Sequence, residues 1–284
     1  MANANGNSSP TYANAKRWGH PCRKSMKNER MIVEQNKSIA AKTHEMTLSG
    51  PLVAHLAQPG TFLHVAVPGD DLVLRRPISI AAVDRDAGTC TIVYKEEGEG
   101  TKRLSRCRAG DGVDVFGPLG KQGFPAEQPS PGDDVLIIGG GVGVPPLYFA
   151  ARELAKRGVS VSVILGFQTA AAIFYERAFR ELSGCEVRVM TNDGSNGHAG
   201  TVIDALNERP SPPDWLFACG PRGMLRAVET HGAHSKTNGY VSLEERMGCG
   251  IGVCFACVCE TGDRASYRKI CRDGPVFRFK EVVI

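Results

Sequence analysis

The hardest constraint on this chain is the run Cys249-x4-Cys254-x2-Cys257, followed by Cys271. One tight loop has to deliver three thiols and a later residue the fourth. This is the spacing with which plant-type [2Fe-2S] segments place four thiolates on two irons. Gly248, Gly250 and Gly252 interleave with the cysteines, and without a Cβ the backbone can turn through positive φ and aim N–H groups at sulfur. The Gly- and Cys-rich stretch from about Tyr240 to Ile284 is too short to fold on its own apolar core, so a cofactor is expected to hold it together. A zinc ribbon would present two separated Cys-x2-Cys knuckles; here there is one, plus Cys259. In an extended segment Cys259 shares a face with Cys257, which makes it the alternative to the favoured Cys271 as fourth ligand. Unligated buried cysteines are the other alternative.

Five of the ten cysteines fall in the last 36 residues, and no apolar signal segment precedes them. That distribution reads as metal binding in a reducing compartment, the cytoplasm, rather than as a disulfide framework. A membrane span needs ~18 uninterrupted apolar residues, and the most apolar region, Val135 to Ala151, is broken by Gly139, Gly140, Gly141, Gly143, Pro145 and Pro146. No membrane partner is expected. The net charge of +4 does not indicate nucleic acid either. Residues 1–30 hold six Lys or Arg against one acid, leaving 28 basic and 29 acidic residues in the other 254. Rich in Asn, Ser and Ala and without apolar periodicity, 1–30 reads as a disordered basic extension, or as sequence upstream of a start at Met26 or Met31. Its acid-poor character leaves a transit peptide as the alternative.

From Met31 to about Phe124, short β-like runs (Phe62 to Val67, Ile78 to Val83, Cys90 to Tyr94) alternate with Gly, Pro and Asp turns, as in a small antiparallel barrel. From about Asp133 the rhythm changes. Apolar strands at Val135 to Ile138, Val159 to Leu165, Glu186 to Met190 and Trp215 to Ala218 alternate with helical stretches at Leu147 to Lys156, Glu176 to Leu182 and Thr201 to Asn207. That order gives a doubly wound parallel α/β sheet.

Its first strand runs into Gly139-Gly140-Gly141-Val142-Gly143-Val144-Pro145-Pro146. A glycine-rich strand-to-helix turn lets a pyrophosphate approach the backbone and meet the helix N-terminus; the alternative is a turn that packs tightly on the sheet. Cys219-Gly220-Pro221 ends the last strand, where open α/β sheets meet ligands. In the barrel, Arg75-Arg76-Pro77-Ile78-Ser79 offers guanidinium groups for a diphosphate and a hydroxyl for a flavin edge, though two arginines beside a strand are more often a solvated edge.

Taken in order with Gly100-Thr101, Gly117-Pro118-Leu119-Gly120 and Glu244-Glu245-Arg246-Met247-Gly248-Cys249, these motifs resemble the ferredoxin-NADP-reductase superfamily. Within it, the chain from Met31 to Ile284 more closely resembles the electron-transfer subunits of NAD-dependent class 1B dihydroorotate dehydrogenases. The resemblance implies an antiparallel FAD-binding β-barrel over 31–128, an NAD-binding α/β domain over 129–238 and a [2Fe-2S] segment over 239–284. It implies FAD contacts from Arg76, Pro77, Ile78, Ser79, Val93, Tyr94, Lys95, Gly100 and Thr101. Nicotinamide-nucleotide contacts fall to Gly139, Gly140, Gly141, Gly143, Cys219, Gly220 and Pro221, and cluster ligation to Cys249, Cys254, Cys257 and Cys271. Ile78 stands where the wider superfamily has Tyr.

The implied function is electron transfer from the FMN of a partner dihydroorotate dehydrogenase subunit, through [2Fe-2S] and FAD, to NAD+ in pyrimidine biosynthesis, in a heterotetramer of two of each chain. A catalytic barrel needs ~250 residues of its own, so the partner has to supply it. Alternatives are a related subunit of a hydrogenase, sulfur reductase or ferredoxin:NADP system, and a zinc-stabilised module without redox chemistry. NAD over NADP is mainly what the resemblance implies; in keeping with it, the loop Gly166 to Ala172 lacks an Arg that could grip a 2'-phosphate.

Overall fold

A computed structural model of the chain describes residues 26–69, 71–232 and 235–284. The first part of the chain forms β1 (Lys27–Ala40), β2 (Thr43–Ser49), β3 (Phe62–Val65), β4 (Arg76–Asp84), β5 (Thr89–Lys95), the short helix α1 (Glu99–Leu104) and β6 (Gly112–Leu119). The six strands close into a barrel in the order β1-β2-β5-β4-β3-β6, every pairing antiparallel. Closure leaves no unpaired edge. Side chains alternate about each strand: on β5, Ile92 and Tyr94 fill the barrel, while Val93 faces the second domain.

The barrel starts at Lys27, so 27–30 are not part of a disordered extension. They pair with Gly117 to Asp114 of β6, and their polar side chains fit because this half of β1 keeps one face in solvent. The rest of the expected extension, 1–25, lies outside the described residues.

The second domain adds β7 (Val135–Gly140), α2 (Val144–Lys156), β8 (Val161–Phe167), α3 (Glu176–Arg180), β9 (Cys185–Thr191), β10 (His198–Ala199), α4 (Val202–Asn207), β11 (Trp215–Cys219), α5 (Arg222–Gly232) and β12 (Asn238–Ser242). The C-terminal stretch gives β13 (Val258–Glu260), β14 (Tyr267–Lys269), α6 (Ile270–Asp273) and β15 (Val276–Arg278). One sheet runs β10-β9-β8-β7-β11-β12-β15. It is parallel as far as β12, and β15 then joins antiparallel. The cluster segment is therefore not a separate appendage: the expected boundary at 238/239 cuts through β12, and β15 returns to the same sheet.

All six β7 residues are buried, as a strand covered on both faces requires. From β7 the chain winds outward through β8 to β9, then returns to place β11 on the other side of β7. This reversal is the switch point at which doubly wound sheets open a ligand crevice. The glycine turn after β7 and Gly220-Pro221 after β11 both lie at its mouth, in register through Cys219 opposite Gly139.

Candidate functional site

The cysteine loop folds around its sulfurs. Cys249 Sγ accepts N–H groups from Val253 (3.3 Å) and Cys254 (3.4 Å), and the Cys249 N–H points back at Cys254 Sγ (3.4 Å). Gly250 and Gly252 make this possible at φ of 71° and 82°. Gly248 is not in that conformation; its missing Cβ instead keeps clear of Cys254 Sγ, which would lie 3.2 Å away. Lys269 Nζ donates to the Gly252 carbonyl at 2.7 Å and stands 3.7 Å over the Phe255 ring, pinning the loop from outside.

The other sulfurs form a second pair. The Cys271 N–H donates to Cys257 Sγ at 3.5 Å, and both residues are buried. Cys259 is buried as well, but its thiol points to the Arg268 carbonyl at 3.7 Å. Acidity divides the same way. Burial pushes Cys249 up, but the N–H groups of Cys254, Ile251 and Val253 and the Cys254 thiol outweigh it and bring the group down to about 6. In the inner pair the Cys271 thiol hydrogen bonds to Cys257 and, against burial, lowers it to about 6; Cys271, holding the shared proton, is raised. Burial raises Cys259 to about 11. Among the described residues no three His, Cys, Asp or Glu side chains converge as one metal ion would need. Two pairs of soft donors, two of the thiols readily ionised and with N–H groups aimed at sulfur, fit a two-iron group.

On the flavin side, the Arg76 guanidinium lies over Gly100, where a Cβ would stand 2.5 Å from Nε, and Nη1 donates to the Leu74 carbonyl. Arg75 is committed elsewhere: its Nη1 donates to the carbonyls of Asp114 (2.9 Å) and His64 (3.4 Å), tying strands of the barrel wall. Pro77 and Ser79 sit opposite His64 and Phe62 of β3, and Ile78 is packed into the barrel core. The Tyr94 hydroxyl donates to Asn36 Oδ1 at 2.9 Å, so Tyr94 offers a ligand its backbone rather than its phenol. Thr101 Oγ1 accepts the N–H groups of Glu97 and Gly98, which starts α1. A guanidinium at the start of a strand with one of its N–H groups already given to a carbonyl, together with a buried polar atom lacking a protein partner on the neighbouring strand (His64 Nε2), fits a polar cofactor such as FAD.

A cavity of about 600 Å³ opens between barrel and sheet. Of the residues expected at the nucleotide, Gly140, Gly141, Gly143, Gly220 and Pro221 line it, as does Lys95 from the barrel; Gly139 and Cys219 do not. Cys219 is wholly buried, and burial followed by the Glu244 charge holds its thiol far above the usual range. The glycines also divide. A Cβ on Gly139 would meet Val144 at 2.9 Å, one on Gly140 would meet Met224 at 2.7 Å, and one on Gly143 would meet the Cys219 carbonyl oxygen at 2.3 Å. Only Gly141, at φ 51°, has nothing within 4 Å. Three of the four are thus explained by close packing of the turn.

Sequence reasoning assigned no role to Glu97, Glu244 or His64. Glu244 lies two residues past the end of β12, so the rule that ligands meet parallel strands at their C-terminal ends could have found it. Its side chain is exposed at the mouth of the cleft, where desolvation by the protein around it, followed by the Glu97 charge, raises its carboxyl to about 7.

Two family models match the chain: an oxidoreductase FAD-binding domain over residues 30–124, and the iron-sulfur cluster binding domain of dihydroorotate dehydrogenase B over 244–283. The chain is 51% identical over 258 residues to the electron transfer subunit of dihydroorotate dehydrogenase B (NAD(+)) from Bacillus caldolyticus, covering 90% of this chain and 98% of that one. The same subunit from Shouchella clausii is 47% identical over 261 residues, at 91% and 99% coverage. Among solved structures, an NADH-dependent reduced ferredoxin-NADP oxidoreductase superposes with a TM-score of 0.79 at 28% identity, over 90% of each chain.

Proposed function

Because this chain belongs to the family of electron transfer subunits of dihydroorotate dehydrogenase B (NAD(+)), we propose that it carries electrons from a catalytic dihydroorotate-oxidising partner to NAD+. The observation that carries this reading is the seating of the cysteine segment between both domains. The Gly120 N–H at the end of β6 donates to the Cys271 carbonyl at 3.2 Å, while β15 extends the nucleotide sheet. When bound, a [2Fe-2S] cluster supplies single-electron transfer and FAD supplies its conversion to hydride chemistry.

Cys249, Cys254, Cys257 and Cys271 are assigned to the cluster. Cys271 is preferred to Cys259 because it is already paired with Cys257, whereas the Cys259 thiol is turned to Arg268. Arg76 and Ser79, with the backbone around Val93 to Lys95, are assigned to FAD. Pro77, Ile78, Gly100 and Thr101 shape that wall. Gly141 and the Gly220-Pro221 turn are assigned to the nicotinamide nucleotide, with Gly140 and Gly143 at the cleft wall and Gly139 and Cys219 packed behind them. NAD is preferred to NADP because Gly166, Phe167, Gln168, Asn192 and Thr201, which line the cavity from the β8 and β9 side, bring no cation to it.

The partner is expected to hold FMN and to assemble with this chain as two of each in the cytoplasm; no helix among the described residues is long and apolar enough to cross a membrane. Mixing the purified chain with its FMN partner should give dihydroorotate-dependent NADH formation that neither supports alone. A reconstituted, FAD- and iron-replete pair that forms no NADH from dihydroorotate would overturn the reading.

A further inference from the structure

His64 lies in a strand that alternates between two cores. Leu63 and Val65 face the barrel interior, whereas Phe62 packs with the cysteine segment, so His64 points the same way as Phe62. Its partner across the ladder is Pro77, next to Arg76 on the strand assigned to the flavin. The imidazole also abuts the cysteine loop: a Cβ on Gly250 would lie 2.9 Å from Nδ1 and 3.0 Å from Leu119 Cδ1. The side chain is 2% exposed, and Nε2 is buried without a hydrogen-bond partner. Burial first, then the Arg75 and Arg76 charges, lowers its pKa to about 4. At neutral pH the ring is therefore uncharged and has one N–H to give. Buried polar atoms are normally paired, and the ring that carries this one sits where the flavin strand meets the cluster loop, with its Nδ1 edge toward Gly250.

We propose that His64 is a positioning residue for electron transfer, seating the cluster loop against the flavin strand and donating its Nε2 hydrogen to an electron-rich atom of a bound redox group. The acceptor is a flavin carbonyl or ring nitrogen, or a cluster sulfur. Electron density on such an atom rises on reduction, so the bond is stronger in the reduced form and raises the midpoint potential of its acceptor. No proton is transferred. The proposal rests on the function assigned above.

The experiment starts from the native complex with its FAD, iron and sulfide content measured. If either cofactor is missing, the functional reading fails, independently of His64. His64→Phe then keeps the ring and removes the N–H, and His64→Gln returns a donor near the Nε2 position. Redox titrations follow the flavin by absorbance and the cluster by EPR. In His64→Phe one centre is expected to lose about tenfold in its reduced-to-oxidised ratio at fixed poise, ~59 mV for a one-electron or ~30 mV for a two-electron couple, and His64→Gln should recover most of it. The centre that moves identifies the acceptor. Unchanged potentials at both centres, or a shift that Gln does not reverse, overturn the proposal. Should His64→Phe not hold its cofactors, native complex labelled with 15N-histidine is reduced by one electron. Hyperfine coupling from a histidine nitrogen that disappears in His64→Gln supports the donor role, and its absence from the native complex overturns it.

Discussion

Replacing Gly143 and Gly141 separately by alanine divides the two roles a glycine turn can have. Gly143 has an ordinary helical backbone (φ −76°, ψ −10°), so alanine there meets no conformational penalty. Its Cβ, however, would stand 2.3 Å from the Cys219 carbonyl oxygen, 2.4 Å from the carbonyl carbon and 2.5 Å from the Gly220 nitrogen. These are backbone atoms at the end of a central strand and cannot rotate away. Overpacking of this kind costs about 1–3 kcal/mol, occasionally more, and a clash with three main-chain atoms belongs at the upper end. Gly141 is the converse, with open space and φ 51°, so alanine pays only the left-handed penalty of about 1–2 kcal/mol. For a chain of this size ~3 kcal/mol corresponds to a Tm loss of roughly 6–12 °C. Gly143→Ala should therefore lose more Tm than Gly141→Ala in scanning calorimetry of the same preparation. It should also raise KM for NAD+, because the displaced turn forms the cavity wall. If Gly141→Ala proves the more destabilising, the assignment of Gly143 to packing is refuted.

Cys271→Ser should abolish the EPR signal of the reduced cluster and Cys259→Ser should keep it; the reverse pattern transfers the fourth ligand to Cys259. At Glu244 the carboxyl is raised from 4.5 to about 7 by crowding and then by Glu97, with Lys95 on the same cavity wall. A raised pKa means that the folded state holds the proton longer, so the associated stability is complete below pH 4.5 and is lost as pH rises through 7. Glu244→Gln should flatten the fall of Tm across that interval, and an unchanged slope would rule the group out as its source. The Tyr175 hydroxyl donates to Glu45 Oε2 at 2.5 Å, joining the nucleotide domain to β2 of the barrel. Tyr175→Phe should cost about 1.5–3 kcal/mol, the worth of a hydrogen bond to a charged group, in urea unfolding; a loss within error would mean that Lys37, 2.9 Å from Glu45, satisfies the carboxylate alone.

The parts of the fold that were legible in the sequence are those whose burial leaves a pattern. Val135 to Ile138 reads as a strand because both faces are covered and every residue is apolar, and observed β7 differs only by adding Gly139 and Gly140. The start of β1 left no such trace, since Lys27 to Arg30 keep one face in solvent and carry polar side chains on a barrel strand. β15 was hidden for another reason: three residues after Gly-Pro are too few to show a period, and only their place beside β12 makes them a strand. At the glycine turn the residue type was readable but its cause was not, because whether a missing Cβ serves a phosphate or a neighbouring strand depends on β11, some 75 residues away in sequence on the ~100-residue scale of a domain.

The preference for Cys271 over Cys259 as the proposed fourth ligand rests on register, where spacing leaves both open. Along a strand, residues two apart share a face, which by itself makes Cys259 as good a neighbour for Cys257 as any later cysteine. The chain, however, turns back on itself through β13 and β14, pairing Val258 with Lys269 and Cys259 with Arg268. Continuing that register by one step brings Ile270 opposite Cys257, and the Ile270 N–H donates to the Cys257 carbonyl at 2.9 Å. Cys271 then follows in the first turn of α6 with its own N–H aimed at Cys257 Sγ. The Cys259 thiol, held inside the ladder, meets a carbonyl instead. A substitution that shifts the hairpin register by one residue would exchange these environments, so the proposed ligation by Cys271 depends on the β13–β14 pairing as much as on the cysteine itself.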